Sequence, residues 1–292
     1  MTSAVRDIGA ADSLETDPSA TQPARPARSS RGAARAWWSK VDASAVEIAQ
    51  VEDPAIDALP DDARATLAAI WQERGGSELR VAAGFAAITA ELVEQGAADS
   101  VLKIVARAVR DEVHHAEISV EIAARYRGAD VVWPPAQPVH VPVLAPAEGA
   151  FRTTLLVVAM CCINETLACA ILEKQLSQAK ALLARAALQT ILSDEIEHAR
   201  AGWAHMASTH VTASMKRDVG RWLPRLLNAR LRDLLDEDSP FPGEQCPDHG
   251  ILTRKVRKEV VASTLAEVVF PGFARAGVDP SKAKEWAATA FG

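Results

Sequence analysis

Tyrosine occurs once in the 292 residues, aromatic side chains make up 5%, and cysteine occurs four times. The cysteines (Cys161, Cys162, Cys169, Cys246) are too few and too unevenly placed for a disulfide framework. Three of them share one apolar segment, which suits a reducing compartment. No run of 18 or more apolar residues is free of charge, which argues against a membrane span. The N-terminus lacks the basic start and apolar run of a secretory signal. Positive charge is not in excess either: the net charge is −6 and the pI about 5.7, against a general nucleic-acid binder. These absences point to a soluble, cytoplasmic protein with no nucleic-acid or membrane partner.

What is present favours helices. Nearly half the chain is apolar (49%), rich in Ala, Leu and Val, with Glu and Arg among the charges. Ala and unbranched side chains lose little freedom in a helix. Residues 1–35 carry almost no large apolar side chains and read as a disordered tail, with Trp37 and Trp38 marking where the chain first docks. From 61 onward helical spacing takes over. Asp61 and Asp62 start a first helix that Gly75 and Gly76 interrupt, and Ser77 caps a fresh start at Glu78. A second helix runs from Asp99 to Tyr126 and ends at Gly128. Pro134, Pro135, Pro138, Pro142 and Pro146 make 129–147 an extended connection. Helices over about 150–176 and 178–208 follow, with a turn around Ser177. Another helix reaches about 235, then come an acidic loop over 238–250 and one or two final helices. The expected fold is all-α: a four-helix bundle with one long crossover over 36–210, and a helical extension over 211–292 packed on it.

The chemistry lies in a repeat. The second helix carries Asp111-Glu112-Val113-His114-His115 and the fourth Asp194-Glu195-Ile196-Glu197-His198. In a helix, i and i+3 share a face about 5–6 Å apart, so Glu112 with His115, and Glu195 with His198, can each grip a metal ion. One Glu-x-x-His is common on helical surfaces; two, at corresponding places in two hairpins, are not. The first helix of each hairpin then supplies one acid. Glu165 is almost the only ionisable group in LLVVAMCCINETLACAIL, where an unpaired carboxylate is costly. It precedes Glu195 by 30 residues, which at about 1.5 Å per residue returns the chain to the same height. Glu78, 34 residues before Glu112, plays the same part in the first hairpin; Glu91 lies too near the turn, and Glu73 precedes the glycine pair. Four carboxylates carry the charge of two divalent ions, and oxygen and imidazole donors without thiolate suit iron or manganese.

This pattern resembles the ferritin-like di-iron carboxylate proteins, in which two helices give one Glu each and two give Glu-x-x-His. The resemblance covers roughly 72–208 and includes bacterial ferritin-like proteins with a DExxHA motif. It implies two iron ions, with manganese the alternative, on Glu78, Glu112, His115, Glu165, Glu195 and His198. It also implies that Asp111 and Asp194 each accept the free imidazole N–H of the opposite motif's histidine. The expected activity is an oxidase or oxygenase using O₂, an electron donor and a small organic substrate, with a homodimer the assembly considered. Ferroxidase or peroxide chemistry, and a non-catalytic helical interaction module, stay open as alternatives.

Other candidates have plainer readings. Cys161, Cys169 and Phe85 line a pocket beside the metals or simply fill core, and Trp71 shares that ambiguity. His205 is a proton or substrate lead, or a cap or solvated group, and His114 is structural. Tyr126, about 16 Å along the axis from His115, is too far for metal contact. Cys246-Pro247-Asp248-His249 reads as part of a flexible acidic loop.

Overall fold

The computed structural model describes residues 47–135 apart from 49, together with 144–236 and 246–292. These residues fall in one compact unit, Asp42–Gly292. The expectations for the 1–35 tail, for Trp37 and Trp38, and for most of the acidic loop lie outside the described residues. Among the described residues there is no strand, and the protein is all-α.

After a short turn of helix, α1 (Pro54–Asp57), the chain forms α2 (Asp61–Glu94) and α3 (Asp99–Arg127). The crossover comes next, and then α4 (Gly149–Gln178) and α5 (Leu182–Ala207). The α2–α3 and α4–α5 pairs are two hairpins that pack together largely through α3 and α5, making a bundle of four helices. Beyond it lie α6 (Ala213–Leu235), α7 (Arg254–Thr264), α8 (Phe270–Arg275) and α9 (Ser281–Phe291). One apolar core runs from Phe85 and Ile88 on α2 through Leu155 and Ile163 on α4 to Leu223 on α6 and Phe273 on α8, so these later helices close over the bundle.

Three details depart from the sequence-based expectation. The first helix does not stop at Gly75 and Gly76; α2 is continuous for 34 residues. Helix packing overrides propensity here. A Cβ on Gly75 would stand 3.3 Å from the Ala116 carbonyl oxygen and 3.3 Å from Val120 Cγ2, so the glycine lets α2 and α3 approach closely. The turn between α4 and α5 falls at 179–181, past Ser177, whose hydroxyl instead donates to the Lys174 carbonyl within α4. Finally, α4 contains a π-helical segment, Val158–Glu165, that ends on the expected ligand acid. An i→i+5 ladder accommodates an extra residue and rotates the helix beyond it, and such bulges favour functional sites.

By length and composition α4 could cross a membrane, but 67% of its most apolar stretch is buried inside the protein, as befits the central helix of a bundle. Asp53 ties the entry segment to this hairpin, accepting from the Leu183 amide at the start of α5 (3.0 Å) as well as capping α1 at Ala55 (3.1 Å).

Cys246–His249 is not a flexible loop. Pro247–His249 forms a 3₁₀ turn with Cys246 and His249 buried. The Asp248 carbonyl accepts from Lys180 N (2.7 Å) and Ala181 N (2.9 Å), serving the amides of the α4–α5 turn. Tyr126, fully buried, pairs its hydroxyl with His249 Nδ1 at 2.8 Å. Burial is the first cause that lowers the His249 pKa, against the pull of Asp53 and Asp248.

Candidate metal centre

Each of the four bundle helices contributes an acid to one buried zone. Glu112 and His115 on α3 and His198 on α5 are wholly buried, Glu165 on α4 is 1% exposed, Glu195 on α5 3%, and Glu78 on α2 8%. Three of these, Glu112, His115 and Glu195, present ligand atoms all within 4.8 Å of one another. The i, i+3 spacing accounts for the local pairs. His198 Nδ1 lies 3.0 Å from Glu195 Oε2, and His115 Nδ1 lies 3.5 Å from Glu112 Oε2. The two motifs also meet each other: His198 Nδ1 is 3.1 Å from Glu112 Oε1, and His115 Nδ1 is 3.6 Å from Glu195 Oε1.

Both imidazoles turn the other nitrogen outward, across the bundle. His115 Nε2 points to Asp194 Oδ2 (3.3 Å) and His198 Nε2 to Asp111 Oδ2 (3.4 Å). Asp111 also accepts from Arg107 Nε at 3.0 Å. Anchored through Nε2, each ring directs Nδ1 into the acidic zone, which is the orientation a nitrogen ligand needs.

Glu78 and Glu165 complete the ring of charge without joining the tightest group. Glu78 Oε1 is held 2.9 Å from Arg74 Nε, one turn earlier on α2. Glu165 Oε1 accepts from the Asn164 amide at 3.0 Å. Of the rival acids, Glu73 is exposed at the wall of the same cavity, while Glu91 stands apart, pairing with Arg152 and accepting from Thr153 Oγ1 at 2.6 Å.

The electrostatics result from crowding acids in a dry place. Burial pushes the Glu78 carboxyl up to about 7 against the pull of Arg74, with Glu112 and Glu195 adding repulsion. Burial, then Glu195 and Glu112, drive Glu165 well above the usual range. Glu195 moves the other way. Burial would raise it, but His198 and His115 outweigh that, and Glu165 holds the proton of their mutual hydrogen bond. Burial alone would lower both histidines. The surrounding carboxylates reverse it, lifting His115 to about 10 through Asp194 and Glu112, and His198 to about 12 through Asp111 and Glu112. Even so, both Glu112 oxygens and His115 Nδ1 are buried without a hydrogen-bond partner. Their contacts are the ion pairs of the cluster itself, His198 Nδ1 at 3.1 Å from Glu112 Oε1 and His115 Nδ1 at 3.5 Å from Glu112 Oε2, rather than well-aligned hydrogen bonds. A divalent cation among them would be held by carboxylate oxygen and imidazole nitrogen.

The remaining candidates separate cleanly. Phe85 packs its ring 5.3 Å from that of His198, so it walls the zone. Cys161 is fully buried and Cys169 half-buried; burial raises both thiols, with Glu165 and Glu195 adding to it, so both sit within electrostatic reach of the acids as neutral groups. Cys161 also forms the contact with Gly202 on α5, where a Cβ would come 2.6 Å from Cys161 Cβ. His205 is neither solvated nor a cap: it is 2% exposed and pairs through Nε2 with Thr154 Oγ1 at 3.2 Å. His114 faces Glu117 instead, 3.5 Å away. Trp71 belongs to a second core cluster, with Arg74 over its ring at 5.3 Å.

A cavity of about 680 Å³, which the sequence did not announce, opens beside the acids, and Glu78, Glu112, Glu165 and Glu195 all line it. Its other polar wall holds Arg74 and Arg80 from α2, Arg230 from α6 and Arg257 from α7. Arg230 Nε donates to Asn164 Oδ1, the same amide that supports Glu165. The signal was faint, because α6 and α7 alternate Arg with apolar residues as any amphipathic helix does. Set against protein-family models, curated proteins and solved structures, the chain matches none.

Proposed function

We propose that this protein is a di-metal oxidoreductase of the ferritin-like di-iron carboxylate kind, acting with O₂ on a small organic substrate. The observation that carries the reading is the buried cluster at the meeting point of two Asp-Glu-x-x-His motifs, where Glu112, His115 and Glu195 offer ligand atoms all within 4.8 Å of one another. Glu112, His115, Glu195 and His198 would hold the ions from α3 and α5, with Glu78 and Glu165 closing the set from α2 and α4. Iron is the expected metal and manganese the alternative, and an external electron donor is required. When bound, the pair of ions would supply redox chemistry that no side chain offers.

The chain's own residues have definable parts. Asp111 and Asp194 would hold the Nε2–H of each imidazole, so that a cation displacing the Nδ1 proton would find that nitrogen already oriented. Glu165 and Glu195 hold a proton between them, which must leave when both ligate. The π segment of α4 carries Glu165 on the least regular turn of the bundle, where a carboxylate can change its orientation at small cost. Asn164 and Arg230 limit that change by holding Glu165 from the cavity side.

The adjoining cavity favours an organic substrate over simple iron oxidation. Its volume falls within the roughly 300–1,000 Å³ of small-molecule sites, and it is lined by Ile88, Leu156, Met160 and Leu226 as well as the acids. The test is elemental analysis of protein as purified, followed by O₂ uptake after anaerobic loading with Fe(II). Two ions per chain with O₂ consumption is the expected result. A chain that holds no iron or manganese, and whose melting temperature is indifferent to either, is instead a helical interaction module.

A further inference from the structure

The cavity beside the acids is long in one direction, and charge is not spread evenly along it. On α2 its lining runs from Ile70 to Ile88, about 27 Å of helix at about 1.5 Å per residue. Across the cavity α4 runs antiparallel to α2, and two contacts fix the register. Thr153 Oγ1 donates to Glu91 at 2.6 Å, and a Cβ on Gly84 would stand 2.8 Å from Met160 Cε and Sδ. Ile88 therefore lies at the height of Leu156, and Glu78 at that of Glu165. Every charged residue that α2 or α4 gives to the cavity falls within 73–80 or at 165. The lining beyond, Val81, Gly84, Ala87 and Ile88 on α2 with Leu156, Ala159 and Met160 on α4, is wholly apolar. By the register these two stretches stand at the same end. They make an apolar arm about 10 Å long that opens onto the acids at Glu78 and Glu165.

We infer that this arm holds the hydrocarbon chain of an organic substrate, laid along the bundle axis with its reacting end at the acid zone. Calling the ligand a substrate rests on the di-metal reading; binding of the chain in the arm does not. Each methylene that enters leaves water for an apolar wall, which is favourable. A hydroxyl, amide or charge placed there would lose its water and meet no side chain better than a thioether, a weak acceptor. Small side chains keep the arm open, since anything larger at Ala87 or Ala159 would fill it. Met160 closes over Gly84 with a flexible side chain that can adjust to what is bound.

The experiment is calorimetric titration of the full-length protein, metal-loaded and again after chelation, with 1-hexanol, 1-octanol and 1,8-octanediol. Octanol should bind once per chain, tighter than hexanol by about tenfold for its two extra methylenes. The diol, which must bury its second hydroxyl in the arm, should bind at least about tenfold more weakly than octanol. Ala159→Leu should weaken octanol binding by about tenfold while metal content stays put. Ala87→Leu makes the same test from α2 should A159L fold poorly. Equal affinity for octanol and the diol, or octanol affinity untouched in both variants, overturns the inference. So does octanol binding that vanishes on chelation, which would put the ligand on the metals rather than in the arm. The two readings fail separately. Octanol binding by a chain that takes up no metal removes the di-metal centre and leaves the arm; two ions per chain without saturable octanol binding does the reverse.

Discussion

His198 reaches from one hairpin to Asp111 on the other, Nε2 to Oδ2 at 3.4 Å, and His115 returns the contact to Asp194 at 3.3 Å. The exchange is reciprocal because each Asp precedes its motif's Glu and so points about 100° away from it, toward the neighbouring helix. Each aspartate therefore orients the imidazole it does not share a helix with. Asp111→Asn and Asp194→Asn should each weaken metal binding by roughly 10–100-fold with helix content unchanged, read by competition against a chelator. Wild-type affinity in both variants would mean the aspartates only balance charge.

Removing a ligand has a coarser effect. Glu165→Ala or His198→Ala should lower bound metal by at least one ion per chain, measured by elemental analysis of purified protein. In the metal-free state Glu165→Gln should cost little stability, because burial and Glu195 already keep the Glu165 carboxyl protonated. Two ions retained at unchanged affinity in both alanine variants would place the site elsewhere.

The legible parts of the molecule were those governed by one helix at a time. Helix spacing put Glu112 with His115 and Glu195 with His198, and hairpin arithmetic chose Glu78 and Glu165 over Glu73 and Glu91; the structure brings those acids to one zone. What escaped depended on contacts between distant segments. Gly75 reads as a helix breaker until Ala116 and Val120 are seen against it. Cys246–His249 looks like loose polar chain because its partners, Tyr126 and the α4–α5 turn, lie 67 to 123 residues away. His205 looks solvated until Thr154 closes on it. The arginine-lined cavity needs three helices at once, so no single stretch of sequence announces it.

The glycines give a paired test of packing. Gly202→Ala would set a Cβ 2.6 Å from Cys161 Cβ and 2.7 Å from Cys162 N, forcing α5 off the π segment of α4. A loss of about 1–3 kcal/mol is expected from such overpacking, together with weaker metal binding, since the contact lies beside Glu165 and His198. Gly76→Ala meets nothing nearer than Pro134 Cβ at 3.7 Å and should gain about 0.5–1 kcal/mol from helix propensity alone. Urea denaturation of the two variants reads both signs, and a stable G202A would show that the α4–α5 contact yields.

His205 sets an acid limit on stability. Burial first, and His210 second, bring its pKa down to about 4, below the ordinary 6.5 that the unfolded chain retains. Above about pH 6.5 neither state is protonated at this ring, and the neutral imidazole is fully compatible with the fold. As the pH falls from there toward 4, the unfolded chain takes a proton that the folded one refuses, so stability drains away. Below about 4 both states carry the proton and the loss levels off. At about 1.4 kcal/mol per pH unit the total is of the order of 3 kcal/mol. His205→Gln keeps a partner for Thr154 but cannot titrate, so the wild-type advantage measured by urea denaturation at pH 7 should shrink or reverse at pH 4.5. A wild-type minus variant difference that is flat across that interval would show that the ring stays neutral in both states or is reached by water.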